Sequence, residues 1–235
     1  MNIAVTGGSG GIGQAFVSQL AARPGVKCVA ATYHRSKPDF SHPAVSWAKV
    51  DITDESAVQA WTAALGEIDW LINAAGLLHR PEKGPEKTIR HLDPDFFIEN
   101  MRVNALSSLL LAKYAGNHFR HGRPGIFAAI SARVGSIEDN YLGGWISYRT
   151  SKAALNMGLK TLSIEWARTL PNVCVAALHP GTTDTALSSP FQRNVPAGQL
   201  FSPEQSVSYM LAVLDGLKPA DSGKFRAFDG ELLPW

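Results

Sequence analysis

Asn2-Ile3-Ala4-Val5-Thr6-Gly7-Gly8-Ser9-Gly10-Gly11-Ile12-Gly13 is the stretch that decides the fold. Its first five residues form a short apolar strand. A glycine turn follows, and then a helical run to about Ala22. A strand, a glycine turn and a helix in that order make the first half of a dinucleotide-binding unit. Glycine lets the backbone turn tightly and come close to a pyrophosphate, whose charge meets the amides and dipole of the helix N-terminus. Gly7, Ser9, Gly11, Ile12 and Gly13 are therefore the candidate phosphate cradle. A flexible turn with no ligand is the plainer alternative, and a position straight after a strand weighs against it.

Outward from this turn the chain alternates. Val26 to Tyr33 reads as a second strand, Val45 to Val50 as a third, and Ile68 to Ile72 as a fourth ending in Asn73-Ala74-Ala75-Gly76. Gly125 to Ser131, Val173 to Leu178 and Lys224 to Phe228 complete a set of about seven. Between them lie a helix capped by Asp54, a long helix from Pro94 to about residue 120, another from 146 to about Arg168, and one from Ser202. Such alternation predicts right-handed crossovers, a doubly wound parallel sheet with helices on both faces, and one α/β domain of the Rossmann type over residues 1–235. Ligands of such sheets gather beyond the carboxyl ends of the strands. The glycine turn, Arg35, Asp51, Asn73, Ser131 and Pro180-Gly181 all fall there.

The end of the second strand bears on the cofactor. An NAD site usually places an acid here to bind the ribose 2′-hydroxyl. This chain has none before Asp39 and offers Arg35, with His34 and Lys37 nearby, where a 2′-phosphate would lie. NADP(H) is favoured over NAD(H), a solvated loop charge being the competing reading of Arg35.

Tyr148 and Lys152 are four residues apart on the helix from 146, so their side chains leave one face. A fixed ammonium near a phenol favours its ionised form, which suits proton transfer to or from a substrate oxygen. The bland reading is an amphipathic helix with an aromatic and a charge on its wet side.

Composition sets outer limits. With 45% hydrophobic and 18% charged residues and a net charge of +2, this is an ordinary globular composition with no basic block for nucleic acid. No apolar run approaches the ~20 residues needed to span a bilayer. The N-terminus lacks signal-peptide character, and a soluble cytoplasmic protein is expected. Cys28 and Cys174 read as buried, reduced thiols. His118 and His121, at i and i+3, read as a basic helix end rather than a metal site, and His179 as structural.

Taken together, Thr6-Gly7, Gly11, Gly13, the Asn73-Ala74-Ala75-Gly76 run, Asn104, Tyr148 with Lys152, and Pro180-Gly181 resemble the short-chain dehydrogenase/reductase family from end to end. The stretches from Gly135 to Trp145 and from Tyr148 to Asn156 look closest to its C-factor and sniffer-like carbonyl reductase branch. The resemblance implies hydride transfer between a nicotinamide and a carbonyl or secondary alcohol. Tyr148 would be general acid or base. Lys152 would hold the nicotinamide ribose and lower the tyrosine pKa, and Asn104 would position a relay water. It also implies that Thr183 and Thr185 meet the carboxamide and pyrophosphate, Asp51 and Ile52 the adenine, and that the protein is a homodimer or homotetramer through helices 94–120 and 146–170. One departure stands out. The family's catalytic serine falls three residues before Gly135, where this chain has Ala132; Ser131 is taken as the substitute donor, with Ser136 as the alternative.

Tyr141, Leu142, Trp145, Leu187 and Phe191 are candidate apolar walls for a ketone or aldehyde, although Trp145 and Phe191 also suit scaffold packing. Segment 186–201 is a candidate lid. The rival classes are a nucleotide-binding sensor with little turnover, to which Ala132 points, and an isomerase or dehydratase on the same scaffold.

Overall fold

The computed structural model describes residues 1–235. In chain order the elements are β1 (Asn2–Thr6), α1 (Gly11–Ala21), β2 (Cys28–Tyr33), β3 (Val45–Lys49), α2 (Glu55–Ala63), β4 (Trp70–Asn73), α3 (Pro94–Asn100), α4 (Ser107–Ala115) and β5 (Gly125–Ile130). There follow α5 (Ile146–Thr169), β6 (Val173–His179), β7 (Thr182–Thr183), β8 (Leu200–Phe201), α6 (Pro203–Gly216) and β9 (Lys224–Ala227). Seven strands pair in parallel in the order β3-β2-β1-β4-β5-β6-β9. The winding reverses between β1 and β4, and a ligand crevice opens at such a reversal.

Alternating side chains explain the two helical layers. On β5, Ile126, Ala128 and Ile130 join the apolar layer containing Phe16, Val17 and Leu20 of α1 with Val207, Met210 and Leu214 of α6. Phe127 and Ala129, in between, face Leu111 of α4 and Leu155, Leu159 and Trp166 of α5. Each such large side chain withdrawn from water contributes about 1.5–3 kcal/mol. The caps are local too: Asp54 accepts the amides of Ser56 and Ala57, Asp93 caps α3 ahead of Pro94, and Ser202 forms a capping box with Gln205.

Four features correct the sequence reading or go beyond it. The helix beginning at Pro94 is interrupted by a π-helical turn, Met101–Leu106, centred near Asn104. Cys28 is exposed rather than buried, because it is the first residue of β2 and lies at the strand's end; Thr32, on the same side of the strand, is buried. Segment 186–201 is pinned at its end by the β7–β8 ladder. The charged loop 77–93 holds a buried carboxylate, Glu86. His118 and His121 meet the carbonyls of Gly66 and Ile68.

Candidate active site

The glycine turn presents bare backbone. Gly10 precedes α1 without any side-chain cap, and the amides of Gly11, Ile12 and Gly13 donate to no atom of the chain. The glycines are required by close approach. A Cβ on Gly13 would lie 2.1 Å from the Gly7 carbonyl oxygen, and one on Gly7, where φ is +69°, 2.6 Å from the Ala75 nitrogen. A Cβ on Gly11 would meet the Thr185 methyl at 2.7 Å. Unpaired amides at a helix N-terminus, in a cradle that side chains would fill, suit a diphosphate.

Across the switch point, Asn73 is a brace. Its Oδ1 accepts from Thr6 Oγ1 and the Ala75 amide, and its Nδ2 donates to Ser107 and Ser108. Only the backbone of Asn73, Ala74, Ala75 and Gly76 is left to line the crevice. Asn104 is equally committed, accepting from the Leu77 amide and donating to the Leu77 carbonyl, Asn100 and Ser151. A Cβ on Gly76 would sit 3.6 Å from Asn104 Oδ1, 3.6 Å from Leu187 and 3.8 Å from Lys152 Nζ, so these residues converge.

At the adenine end Asp51 binds the amide and hydroxyl of Thr53 and lies 3.6 Å from His34. Partial burial raises its pKa, but the Thr53 bonds outweigh that, and the net direction is down. Ile52 is buried beside it. Arg35 is exposed and makes no ion pair or hydrogen bond, which leaves a free cation beyond β2.

Tyr148 and Lys152 lie in the first two turns of α5, both buried, with the ammonium 5.8 Å from the phenol ring centroid. The tyrosine hydroxyl has no protein partner yet is not sealed from solvent. Lys152 donates to the Ile130 carbonyl at 2.7 Å, and α5 presses so closely on the loop after β5 that a Cβ on Gly135 would lie 2.6 Å from Lys152 Cβ. The expected effect of lysine on tyrosine is not what dominates. Burial pushes the phenol pKa up and lowers that of Lys152 to about 7, because each charged form loses its hydration.

Neither candidate serine offers a free hydroxyl. Ser131 donates to Asn156 Oδ1 at 2.6 Å, and Ser136 donates to the Trp235 carbonyl oxygen while accepting from the Asp139 amide. Both face the scaffold, and Ala132 occupies the turn between them.

On the far wall, Gly181 has φ +72°, and a Cβ there would strike the Phe201 ring at 2.6 Å. Pro180 and Thr183 are tied to Ser206 of α6, whereas Thr185 covers the glycine turn. Phe191 packs on Trp145 at 4.9 Å between ring centroids, and Trp145 in turn on Tyr148 at 6.4 Å. Tyr141 and Leu142 are not walls here: they are 87% and 92% exposed, because positive φ at Gly143, Gly144 and Trp145 turns the chain outward. His79, which sequence reading passed over, meets Phe191 edge-on at 5.8 Å and bonds the Ala186 carbonyl at 3.1 Å. Glu86 was missed too. Nothing in the local pattern of a charged loop marks either residue.

Comparisons with known proteins bear on the family and the fold. A family model described as short chain dehydrogenase matches residues 1–195. The chain is 32% identical over 191 residues to the 1-hydroxy-2-glutathionyl-2-methyl-3-butene dehydrogenase of Rhodococcus sp. (strain AD45), covering 79% of this chain and 78% of that one. It is also 32% identical over 176 residues to the C-signal of Myxococcus xanthus, covering 75% of this chain and 98% of that protein. The NADPH-bound carbonyl reductase from chicken fatty liver superposes with a TM-score of 0.87 at 27% identity, covering 100% of this chain and 94% of that one. Sniffer, a carbonyl reductase of D. melanogaster, shares the fold with a TM-score of 0.87 at 21% identity, over 100% of this chain and 99% of that one. The chain belongs to the short-chain dehydrogenase family.

Proposed function

We propose that this chain is an NADP(H)-dependent oxidoreductase acting on a carbonyl or the corresponding secondary alcohol. The carrying observation is the unpaired Tyr148 hydroxyl, with Lys152 one turn along α5, on the same rim as the bare glycine turn. A bound nicotinamide would supply or accept the hydride. Gly11 to Gly13 would bind the diphosphate through their amides, and Thr185 would cover it. Arg35, free of partners, would meet a 2′-phosphate, and the similar chicken liver reductase is NADPH-bound. Tyr148, kept neutral by burial, is the acid that gives its proton to the substrate oxygen in reduction. The phenolate so formed is stabilised by Lys152 in its charged form. Gly76, Leu187, Trp145 and Phe191 would flank an apolar ketone or aldehyde. Assembly as a dimer or tetramer is supported by Leu109, Met157 and Ile164, exposed on the outer faces of α4 and α5.

The test is NADPH oxidation across a panel of aliphatic and aromatic carbonyls, with Tyr148→Phe as control. The expected result is turnover that falls by ~10²–10⁴-fold in the variant while NADPH still binds. A second reading, a nucleotide-binding sensor, is favoured by Ala132, which leaves no serine hydroxyl facing the substrate oxygen. Tight NADPH binding without turnover on any carbonyl would select it.

A further inference from the structure

Helix α5 begins without a cap of its own. The residue before it, Trp145, has φ 52° and ψ 42°, the only positive φ outside glycine, and its indole has no acceptor for the free amides of the first turn. The acceptors come from another part of the chain. Glu86, only 3% exposed in the loop after β4, accepts the Ser147 amide through Oε2 at 3.1 Å and the Ser147 hydroxyl through Oε1. Its own carbonyl accepts the Trp145 amide at 2.5 Å. No cation is paired with this carboxylate. A buried carboxylate is costly unless its charge and lone pairs are met, and here a helix N-terminus meets them.

We infer that Glu86 is a positioning residue for Tyr148. The inference rests on the proposed role of that tyrosine. Ser147, which Glu86 grips by backbone and side chain, immediately precedes Tyr148. Trp145, held by the Glu86 carbonyl, packs its indole against the Tyr148 ring. One loop residue thus sets both the root of the phenol and the wall beside it. Lys152, a turn further on, has separate anchors in the Ile130 carbonyl and the close packing on Gly135. Loss of the Glu86 carboxylate should therefore disturb the phenol more than the lysine.

The experiment compares wild type with Glu86→Ala and Glu86→Gln. Glutamine keeps an acceptor for the Ser147 amide, and its own amide can donate to the Ser147 hydroxyl, so it preserves the grip without the charge. Glu86→Ala is expected to lower kcat by ~10–100-fold through misplacement of the phenol. NADPH affinity in Glu86→Ala, and kcat in Glu86→Gln, should stay within about threefold of wild type, as for distant or conserved contacts. Amide hydrogen exchange in Glu86→Ala should accelerate at residues 145–150 and stay slow at 155–169. Unchanged exchange at 145–150, unchanged kcat, or faster exchange along the whole chain would each overturn the inference. Absence of carbonyl turnover in the wild type would instead overturn the proposed function, and the exchange measurement would still decide whether Glu86 caps the helix.

Discussion

The two sides of the crevice are made of different material. Between β1 and α1 the surface is main chain: amides without partners, in a turn where added Cβ atoms would strike backbone. On the other side, where the proposed substrate would lie, it is side chain, contributed by His79, Trp145, Tyr148, Leu187 and Phe191 from separate segments. A main-chain surface tolerates few sequences, because glycine is the residue that lets backbone meet backbone. A side-chain surface tolerates many, and its composition is where members of one fold can diverge in substrate.

The sharpest way to break this contrast is Gly13→Ala. The new methyl would lie 2.1 Å from the Gly7 carbonyl oxygen, a backbone atom fixed in the turn. The expected cost is ~3 kcal/mol or more of stability with NADPH affinity reduced by more than ~100-fold, read by denaturant unfolding and by fluorescence titration. A folded variant with normal affinity would show that the turn is not the cofactor cradle.

Arg35→Ala tests a charged side chain on the proposed cofactor side, where most of the surface is main chain. A charge-assisted bond to a phosphate is worth ~1.5–3 kcal/mol, so NADPH affinity should fall ~10–100-fold while NADH affinity holds. Equal loss for both cofactors would mean that Arg35 does not read the 2′-phosphate.

The same contrast explains what could be read from sequence. The glycine spacing, the strand and helix alternation and the Asp54 cap are local, and each matches an element of the structure. Tyr148 and Lys152 were legible because helical spacing alone places them together. Glu86 was not, since the helix it caps starts 60 residues later and a carboxylate in a charged loop carries no local sign of burial. Nor was the π-helical turn at Asn104, which is accompanied by bonds to Leu77 rather than announced by its own residues. The partner of Ser131 is likewise distant in sequence: Ser131 precedes the turn, and its hydroxyl donates to Asn156 of α5. Cys28 is exposed because it opens β2 at the strand's end, where the covering layer does not reach, whereas Thr32 on the same side of the strand is buried.

Lys152 stands where the two sides meet, and pH probes it. Its pKa in the folded chain, about 7, is below the ordinary 10.5. Between those values the unfolded chain binds more protons than the folded one, so this group makes stability rise with pH, by up to ~1.4 kcal/mol per unit. Lys152→Met should remove that component of the slope, measured by urea unfolding at pH 7 to 10. In kinetics the direction is opposite. If the ammonium is what stabilises the phenolate, kcat/KM for carbonyl reduction falls as pH rises through about 7, approaching ~10-fold per unit. A kcat/KM flat from pH 6 to 9 would remove the lysine charge from the mechanism.

The smallest expected change is a gain, and it lies on the proposed substrate side. Ala132 sits in extended backbone, with φ −151° and ψ 145°, at the start of the turn after β5, while the Ser131 and Ser136 hydroxyls are bound elsewhere. Tyr148 is then the sole hydroxyl donor proposed for the substrate oxygen. Removing a donor from a site built around it costs ~10²–10³-fold in kcat, but adding one to a site shaped without it recovers less, so Ala132→Ser is expected to raise kcat by ~10-fold or less. Its KM should change little, because the added bond strengthens as charge develops on the oxygen rather than when the neutral carbonyl binds. A lower KM with unchanged kcat would place the new hydroxyl against the bound substrate and away from the reacting oxygen. No change in either would mean that the serine turns inward to cap its own turn, as Asp54 does at α2.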